Sequence, residues 1–438
     1  MGLPGQLRVL ILARCVNRLG GFSMAFLGVL LLRDLDAGPA GTALVLTCFG
    51  LATIPSRLLG GHLADAWGRR PTMLLGLSGC AVAQLVIAAA PTYAWALAGA
   101  VLLGLAYEIV EPPTQALVSD LVPADDRSFA YSALNASLAV AGVLAGLVAA
   151  AVSGFGLRWL FVVDAATCLA CAVLVAGAVP ASRRPPAQGP LDQEEAADPV
   201  GNCTLDEKDD RVPGSRRGSD SPGQRWVGAL TDRRLVRVVA LGTVAATVTM
   251  VVVFGVPLLV GQRGMAPSVT GWVLAAGAAA SVPGARLVVV LRRRVGDRGV
   301  LLTGEATAAL GLTALALADG PLALAAGLVV FDVGSLLVIS TMMAGAGTLA
   351  PEGSRGTYLA VLGLTWGLAT TAAPGILTTL GTAYGPGAPF AASAAALLAA
   401  AVVRAVTEPG QRRQRPRLRR RTSLGGLPPA YDRSGSTT

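Results

Sequence analysis

Long apolar blocks separated by brief polar punctuation run through the whole chain. Stretches such as AVAQLVIAAA (81–90) and AASAAALLAA (391–400) are apolar almost throughout and do not alternate. A half-buried strand would read with period two, and a membrane β-barrel would repeat that alternation in short segments. The blocks therefore predict helices. Twelve occur, at about 8–32, 41–62, 71–90, 93–114, 129–153, 158–180, 235–260, 270–291, 299–318, 320–347, 357–380 and 387–407. Each is close to the roughly 20 residues that a lipid-crossing helix needs. Two uncharged runs, 71–107 and 356–403, are too long for one helix; they break at AAAPTY and GTAYGPGAP, where Pro and Gly set hairpin turns. The first block carries Arg14, Asn17 and Arg18. It is too long and polar for a signal-peptide core and is kept as helix one.

Composition turns these helices into membrane spans. Of 438 residues, 53% are hydrophobic and 14% charged, against about 25% charge in ordinary soluble domains. A soluble fold of this length lacks the interior to hide so much apolar surface. The expected fold is an all-α membrane protein with 12 transmembrane helices.

Charge usage excludes several functions. Lys208 is the only lysine and sits in DEKDD, so no Gly-Lys-Ser/Thr phosphate loop exists and an ATP-driven pump with its own P-loop is ruled out. His62 is the only histidine, which removes zinc motifs of the H-E-x-x-H kind. No Ser/His/Asp set, G-x-G-D motif or metal cluster appears, so an enzyme is not expected. Cys15, Cys48, Cys80, Cys168 and Cys171 lie in apolar blocks and read as buried structural residues rather than a redox or metal site. The bias of Arg over Lys fits a GC-rich bacterial genome.

The arginines set orientation. With both termini cytoplasmic, only Arg33, Arg158 and Arg263 fall on the outer side, while Arg14, Arg18, Arg57 and Arg286 fall within spans. That is the positive-inside pattern; together with the arginine bias it makes a bacterial plasma membrane the expected location. Residues 181–231 are rich in Pro, Gly, Ser and both charges and read as a disordered cytoplasmic linker. The expected units are a six-helix half (1–180), this linker, a second six-helix half (232–408) and a basic cytoplasmic tail (409–438). The tail's RRQRPRLRRR (412–421) is suited to the anionic lipid leaflet rather than to nucleic acid.

An internal repeat supports two halves. A shift of 228 residues sets Thr42, Val45, Leu46, Pro55, Leu59, Gly68, Arg70, Leu74 and Gly76 on Thr270, Val273, Leu274, Pro283, Leu287, Gly296, Arg298, Leu302 and Gly304. The same shift sets Leu121, Pro123 and Arg127 on Leu349, Pro351 and Arg355. Parallel repeats of this kind build many secondary transporters, with the binding site between the halves.

The most specific string is GHLADAWGRRPTML (61–74), between the second and third blocks. Through Gly61, Leu63, Asp65, Gly68, Arg69 and Arg70 it resembles the G-x-L-x-D-x-x-G-R-R/K loop of the major facilitator superfamily. The resemblance implies two six-helix halves related by a pseudo-two-fold axis, alternating access, and a conformational latch formed by Gly61, Asp65, Gly68, Arg69 and Arg70. The second copy has Arg293 in the place of Asp65, which puts its latch role in doubt. Span five carries Gly142-Val-Leu-Ala-Gly146 where antiporters of the family often have G-P-x-x-G-G. What remains is a small-residue packing face. Residues 103–120 look like span four of efflux-type members, without their intramembrane arginine and with Glu108 and Glu111 instead.

An ionisable group in lipid costs about 3 kcal/mol on insertion scales, so each asks for a partner or a task. Glu108 and Glu111 share a helix face and are candidate proton carriers, with Arg14 and Arg18 as counter-charges. Asp164, Glu305 and Asp332 are further candidates for proton coupling or substrate contact. Arg57 and Arg286 lie near span ends, where snorkelling is expected. Phe22, Phe26, Tyr107, Phe331 and Trp366 are candidate cavity aromatics. The expectation is a monomeric, proton-coupled exporter of a small amphipathic drug or metabolite, driven by the proton gradient with no bound cofactor. Uptake of a metabolite on the same fold is the alternative, and a non-transporting membrane sensor or scaffold is a reading from another class.

Overall fold

The computed structural model describes residues 4–122, 127–178, 231–349 and 355–407. The tail at 409–438 and all but the last residue of the expected linker at 181–231 lie outside the described residues.

The described residues are helices and short turns without a strand. Helices α1 (Gly5–Gly20) and α2 (Ser23–Arg33) make the first span, bent at Gly21-Phe22. Helices α3 (Gly38–Ala66) and α4 (Arg69–Ala89) are the second and third. The fourth is α5 (Tyr93–Tyr107) continued by α6 (Glu111–Leu121) through a 3-10 turn at Glu108–Val110. Then follow α7 (Arg127–Val152), α8 (Leu157–Ala178), α9 (Arg233–Gln262), α10 (Pro267–Leu317), α11 (Pro321–Leu349), α12 (Arg355–Tyr384) and α13 (Ala388–Thr407).

Ten helical stretches among the described residues are long and apolar enough to cross a membrane. One of them, α10, runs for 51 residues but breaks at Gly296, whose φ of 73° no helix accommodates. It supplies the eighth and ninth spans. Helix α12, 30 residues long and richer in threonine, brings the crossings to twelve.

The repeat is visible in the backbone. Gly68, between spans two and three, has φ 93°, and its counterpart Gly296, between spans eight and nine, has φ 73°. Both turns need the left-handed region that glycine enters without steric cost. Pro55 and Pro283, also equivalent, each lie inside a helix.

The halves meet along two seams. Span two packs on span eleven, and span five on span eight. At the second seam a Cβ on Gly146 would stand 2.5 Å from the Ala275 nitrogen, and one on Gly271 would stand 2.3 Å from the Ala150 nitrogen. Absent side chains thus let the two backbones touch, which is the small-residue packing expected of Gly142–Gly146. On the side away from the termini, one apolar core runs through both halves, joining Phe26, Leu46, Phe49 and Ala149 to Val251, Phe254 and Ala373. Toward the termini the cores separate. One holds Leu7, Leu10, Met73, Leu117, Val118 and Cys171, all from the first half. The second half has a core of its own that runs from Ala245 and Met342 to Leu259, Ala318 and Phe390 and takes no residue from the first. The bundle is therefore closed on its far side and cleft on the side of the termini.

Candidate substrate and coupling site

The site begins with a broken helix. Pro112 and Pro113 carry no N–H, so the carbonyls four residues earlier, on Glu108 and Ile109, lose their helical donors. The chain tightens into the 3-10 turn Glu108–Val110. Neighbouring spans fill the irregularity: the Glu108 N–H donates to Ser56 Oγ at 3.1 Å, and a Cβ on Gly60 would lie 2.8 Å from the Ile109 carbonyl oxygen. Gly60, rather than Gly61 of the loop motif, is the glycine that permits close approach; a Cβ on Gly61 would meet open space.

Both glutamates at the break are ion-paired. Arg14 Nη2 on α1 lies 2.8 Å from Glu111 Oε2, and Gln115 Nε2 donates to the other oxygen, Oε1, at 3.0 Å. Arg57 Nη1 on α3 lies 3.1 Å from Glu108 Oε2. The expectation that Arg57 snorkels to a span end is corrected here. Glu108 lies across the inside of the bundle, and pairing there satisfies both charges. The same guanidinium lies across the seam, where a Cβ on Gly363 of α12 would stand 2.6 Å from Arg57 Nε. Arg286 is exposed.

Arg18 does not join these pairs. It is exposed, and its side chain makes no hydrogen bond or ion pair among the described residues. Its Nε is 4.0 Å from where a Cβ on Gly142 of span five would stand, which sets it on the inner wall of the first half. Asp332 is half-buried, with Oδ2 turned into the space that Gly277 of span eight leaves empty.

Asp164 is only 4% exposed and is surrounded by neutral donors. Ser23 Oγ donates to Oδ2, as does Gln84 Nε2 at 2.6 Å. Cys168 Sγ lies 3.7 Å from Oδ1 and accepts from Asn17 Nδ2 at 3.3 Å. A carboxyl held by uncharged partners from spans one, three and six ties those spans together. Glu305 is different. Arg404 approaches its Oε1 with Nη2 at 3.0 Å and Nε at 3.2 Å, joining spans nine and twelve away from both seams. Sequence reading counted Arg404 with the loop charges; the structure buries it at 2% exposure.

In the loop motif, Arg69 Nη1 donates to the Ala116 carbonyl at the end of span four, 3.3 Å away. Gly68 forms the left-handed turn and Arg70 is half-buried. Asp65 lies on α3, and its side chain is outside the described residues. Of the candidate aromatics, Phe22, Phe26 and Phe331 are core residues at 5%, 0% and 2% exposure. Tyr107, edge-on to Phe49 at 6.0 Å, and Trp366 remain accessible. No group of three or more His, Cys, Asp or Glu among the described residues is placed to hold a metal ion.

Sequence reading missed Ser23 and Gln84 as partners of Asp164. The available signal was faint: Gln84 is a lone amide in an otherwise apolar block.

Comparison with known proteins agrees with this architecture. The family model of the Major Facilitator Superfamily matches residues 10–288 and 238–430. Over 132 residues, 30% of this chain and 25% of the relative, the chain is 29% identical to the uncharacterised MFS-type transporter EfpA of Mycobacterium tuberculosis. Over 118 residues, 26% of this chain and 24% of the relative, it is 33% identical to the puromycin resistance protein pur8 of Streptomyces alboniger. These matches span about a quarter of each relative's length. Among solved structures, the nucleoside transporter NupG superposes with a TM-score of 0.73 at 11% identity, covering 92% of this chain and 100% of that one. The peptide transporter POT does so with a TM-score of 0.71 at 14% identity, covering 92% and 94%. At such identities the likeness carries the fold alone. The match to both halves, on a bundle of twelve spans with two glycine-lined seams, means that the chain belongs to the major facilitator superfamily, a family of membrane transporters rather than enzymes.

Proposed function

We propose that this protein is a proton-coupled exporter of small amphipathic compounds in a bacterial plasma membrane, with both termini cytoplasmic. The observation that carries the reading is the break in span four, where Glu108 and Glu111 are each held by an arginine from a different span. Proton uptake by either acid cancels the charge that its arginine holds and frees one helix from another. Such a change in contacts biases a two-state equilibrium, as coupling requires. Arg57 lies against Gly363 in the other half, so release of Glu108 acts directly on a seam. The efflux direction draws support from the likeness to the puromycin resistance protein.

The test uses purified full-length protein in vesicles that enclose a pH dye. Puromycin and a panel of amphipathic drugs are added to wild type, Glu108→Gln, Glu111→Gln and Asp65→Asn. Drug-evoked proton movement that Asp65→Asn and one glutamate variant abolish supports the proposal. Movement that survives both glutamate changes removes span four as the carrier. Absence of movement with every compound overturns drug–proton exchange and leaves the fold untouched.

A further inference from the structure

Spans one and seven touch at the closed end, where a Cβ on Gly28 would lie 3.4 Å from Leu258, and they part toward the termini. Arg18 lies ten residues before Gly28, and Ala246 lies twelve before Leu258. At 1.5 Å per residue both stand roughly 15–18 Å from that contact. They face the cleft from opposite walls at one depth. The 228-residue register makes them counterparts, and it also pairs Arg14 with Gly242 and Glu111 with Ile339.

The two walls have opposite chemistry. On the second half, Gly242, Ala246, Ile339, Met342 and Trp366 line an apolar recess that is open on one side. On the first half, Arg14, Arg18 and Arg57 meet two glutamates, Glu108 and Glu111, and a third acid, Asp164, is buried on neutral donors. Glu111 is engaged through both oxygens and Glu108 is held by Arg57. Arg18 is the group left over. Asp332 is turned toward Gly277, behind the face that meets span five. A cation in a cleft with low-dielectric walls concentrates anions, and guanidinium suits carboxylate, sulfonate and phosphate alike.

We infer that the cargo is an amphipathic anion. Its apolar body sits in the recess between α9, α11 and α12, and its acid group rests on Arg18. This deepens the transport reading, on which it rests, by naming the charge of the substrate and the residue that selects it.

Equilibrium dialysis of the full-length protein in micelles, corrected by protein-free micelles, tests it. The probes are 8-anilinonaphthalene-1-sulfonate and N-phenyl-1-naphthylamine, which share an aromatic body and differ by the sulfonate. Wild type is expected to favour the sulfonate at least about tenfold, the ratio that 1.4 kcal/mol represents. Arg18→Gln should erase that preference while leaving the neutral probe unchanged, and Arg18→Lys should restore part of it. Trp366→Ala should weaken both probes together. Equal binding of the two probes by wild type overturns the inference, as does a preference that survives Arg18→Gln. An Arg18-dependent preference without drug-evoked proton movement would leave this site standing and remove proton coupling. Coupled transport of cations alone, indifferent to Arg18, would do the reverse.

Discussion

The two halves share a backbone plan and differ in where they keep charge. In the first half, ionic groups stand on spans one, two and four, which line the cleft: Arg14 with Glu111, Arg57 with Glu108, and Arg18 with no ion pair among the described residues. The equivalent positions of the second half are Gly242, Ile339, Ala285, Leu336 and Ala246. There the buried pair of Glu305 and Arg404 sits on spans nine and twelve, away from the seams. Sterics have been exchanged in the same way. A Cβ on Gly104 would stand 2.4 Å from the Phe49 carbonyl oxygen. Their counterparts Asp332 and Gly277 are reversed in size, so the carboxylate fills the room that the glycine leaves. Duplication conserved the turns and close helix contacts that any bundle of this shape needs. Side chains facing the cleft were free to diverge, because lipid-grade packing does not depend on their charge.

The buried carboxylates sharpen this comparison. Glu305 lies against a cation, so Glu305→Gln removes the carboxylate that holds buried Arg404. The expected loss is about 3–5 kcal/mol, read by unfolding in mixed micelles. A loss below about 1 kcal/mol would show that the pair is dispensable and break the contrast.

The glycine seams come next. Gly146→Val sets atoms into the backbone of Ala275 and Gly271, which cannot yield as a flexible side chain can. Overpacking of this kind costs about 1–3 kcal/mol, and here that cost opposes closure of the far side. Thr47 Oγ1 lies 3.3 Å from the Thr371 carbonyl across the first seam. Cysteines introduced at Thr47 and Thr371, in a chain otherwise without cysteine, should cross-link readily while Gly146 is kept. Adding Gly146→Val should lower the yield about tenfold. Equal yields would show that the seams close independently.

Asp164→Asn should have the smallest effect. Its neighbours Ser23 and Gln84 are neutral donors, and an amide oxygen can accept from both. The change should cost under about 1 kcal/mol, while Asp164→Leu, which leaves those donors unsatisfied, should cost about 1–3 kcal/mol. Similar losses for the two variants would show that a charge is needed here after all. The two halves would then treat buried acids alike.

Much of the architecture was legible beforehand. Twelve apolar blocks and the shared register of Gly68 and Gly296 follow from the pattern of the chain, whereas the break in span four was found only in the structure. Part of the candidate site was legible too, since Glu108 and Glu111 stand out in an apolar block and Arg14 lay within reach of the latter. The rest was not. Arg57 reads as a span-end residue until Glu108, 51 positions away, is placed beside it. Arg404 reads as a cytoplasmic-side charge at the end of the last span until Glu305, 99 positions away, receives it. Phe26 and Phe331 are as aromatic as Trp366, and only packing separates core from cleft.

By itself the sequence determined that the chain lives in lipid, how many times it crosses, where it turns and that it is built twice. Hydropathy, helical period and proline or glycine breaks are properties of neighbouring residues, and a helix in lipid makes all its backbone hydrogen bonds within itself. The tertiary structure alone decided which acid meets which arginine, which glycines touch across the seams and which wall of the cleft is charged. Helical periodicity says which residues share a face, but not which of the other helices that face will meet.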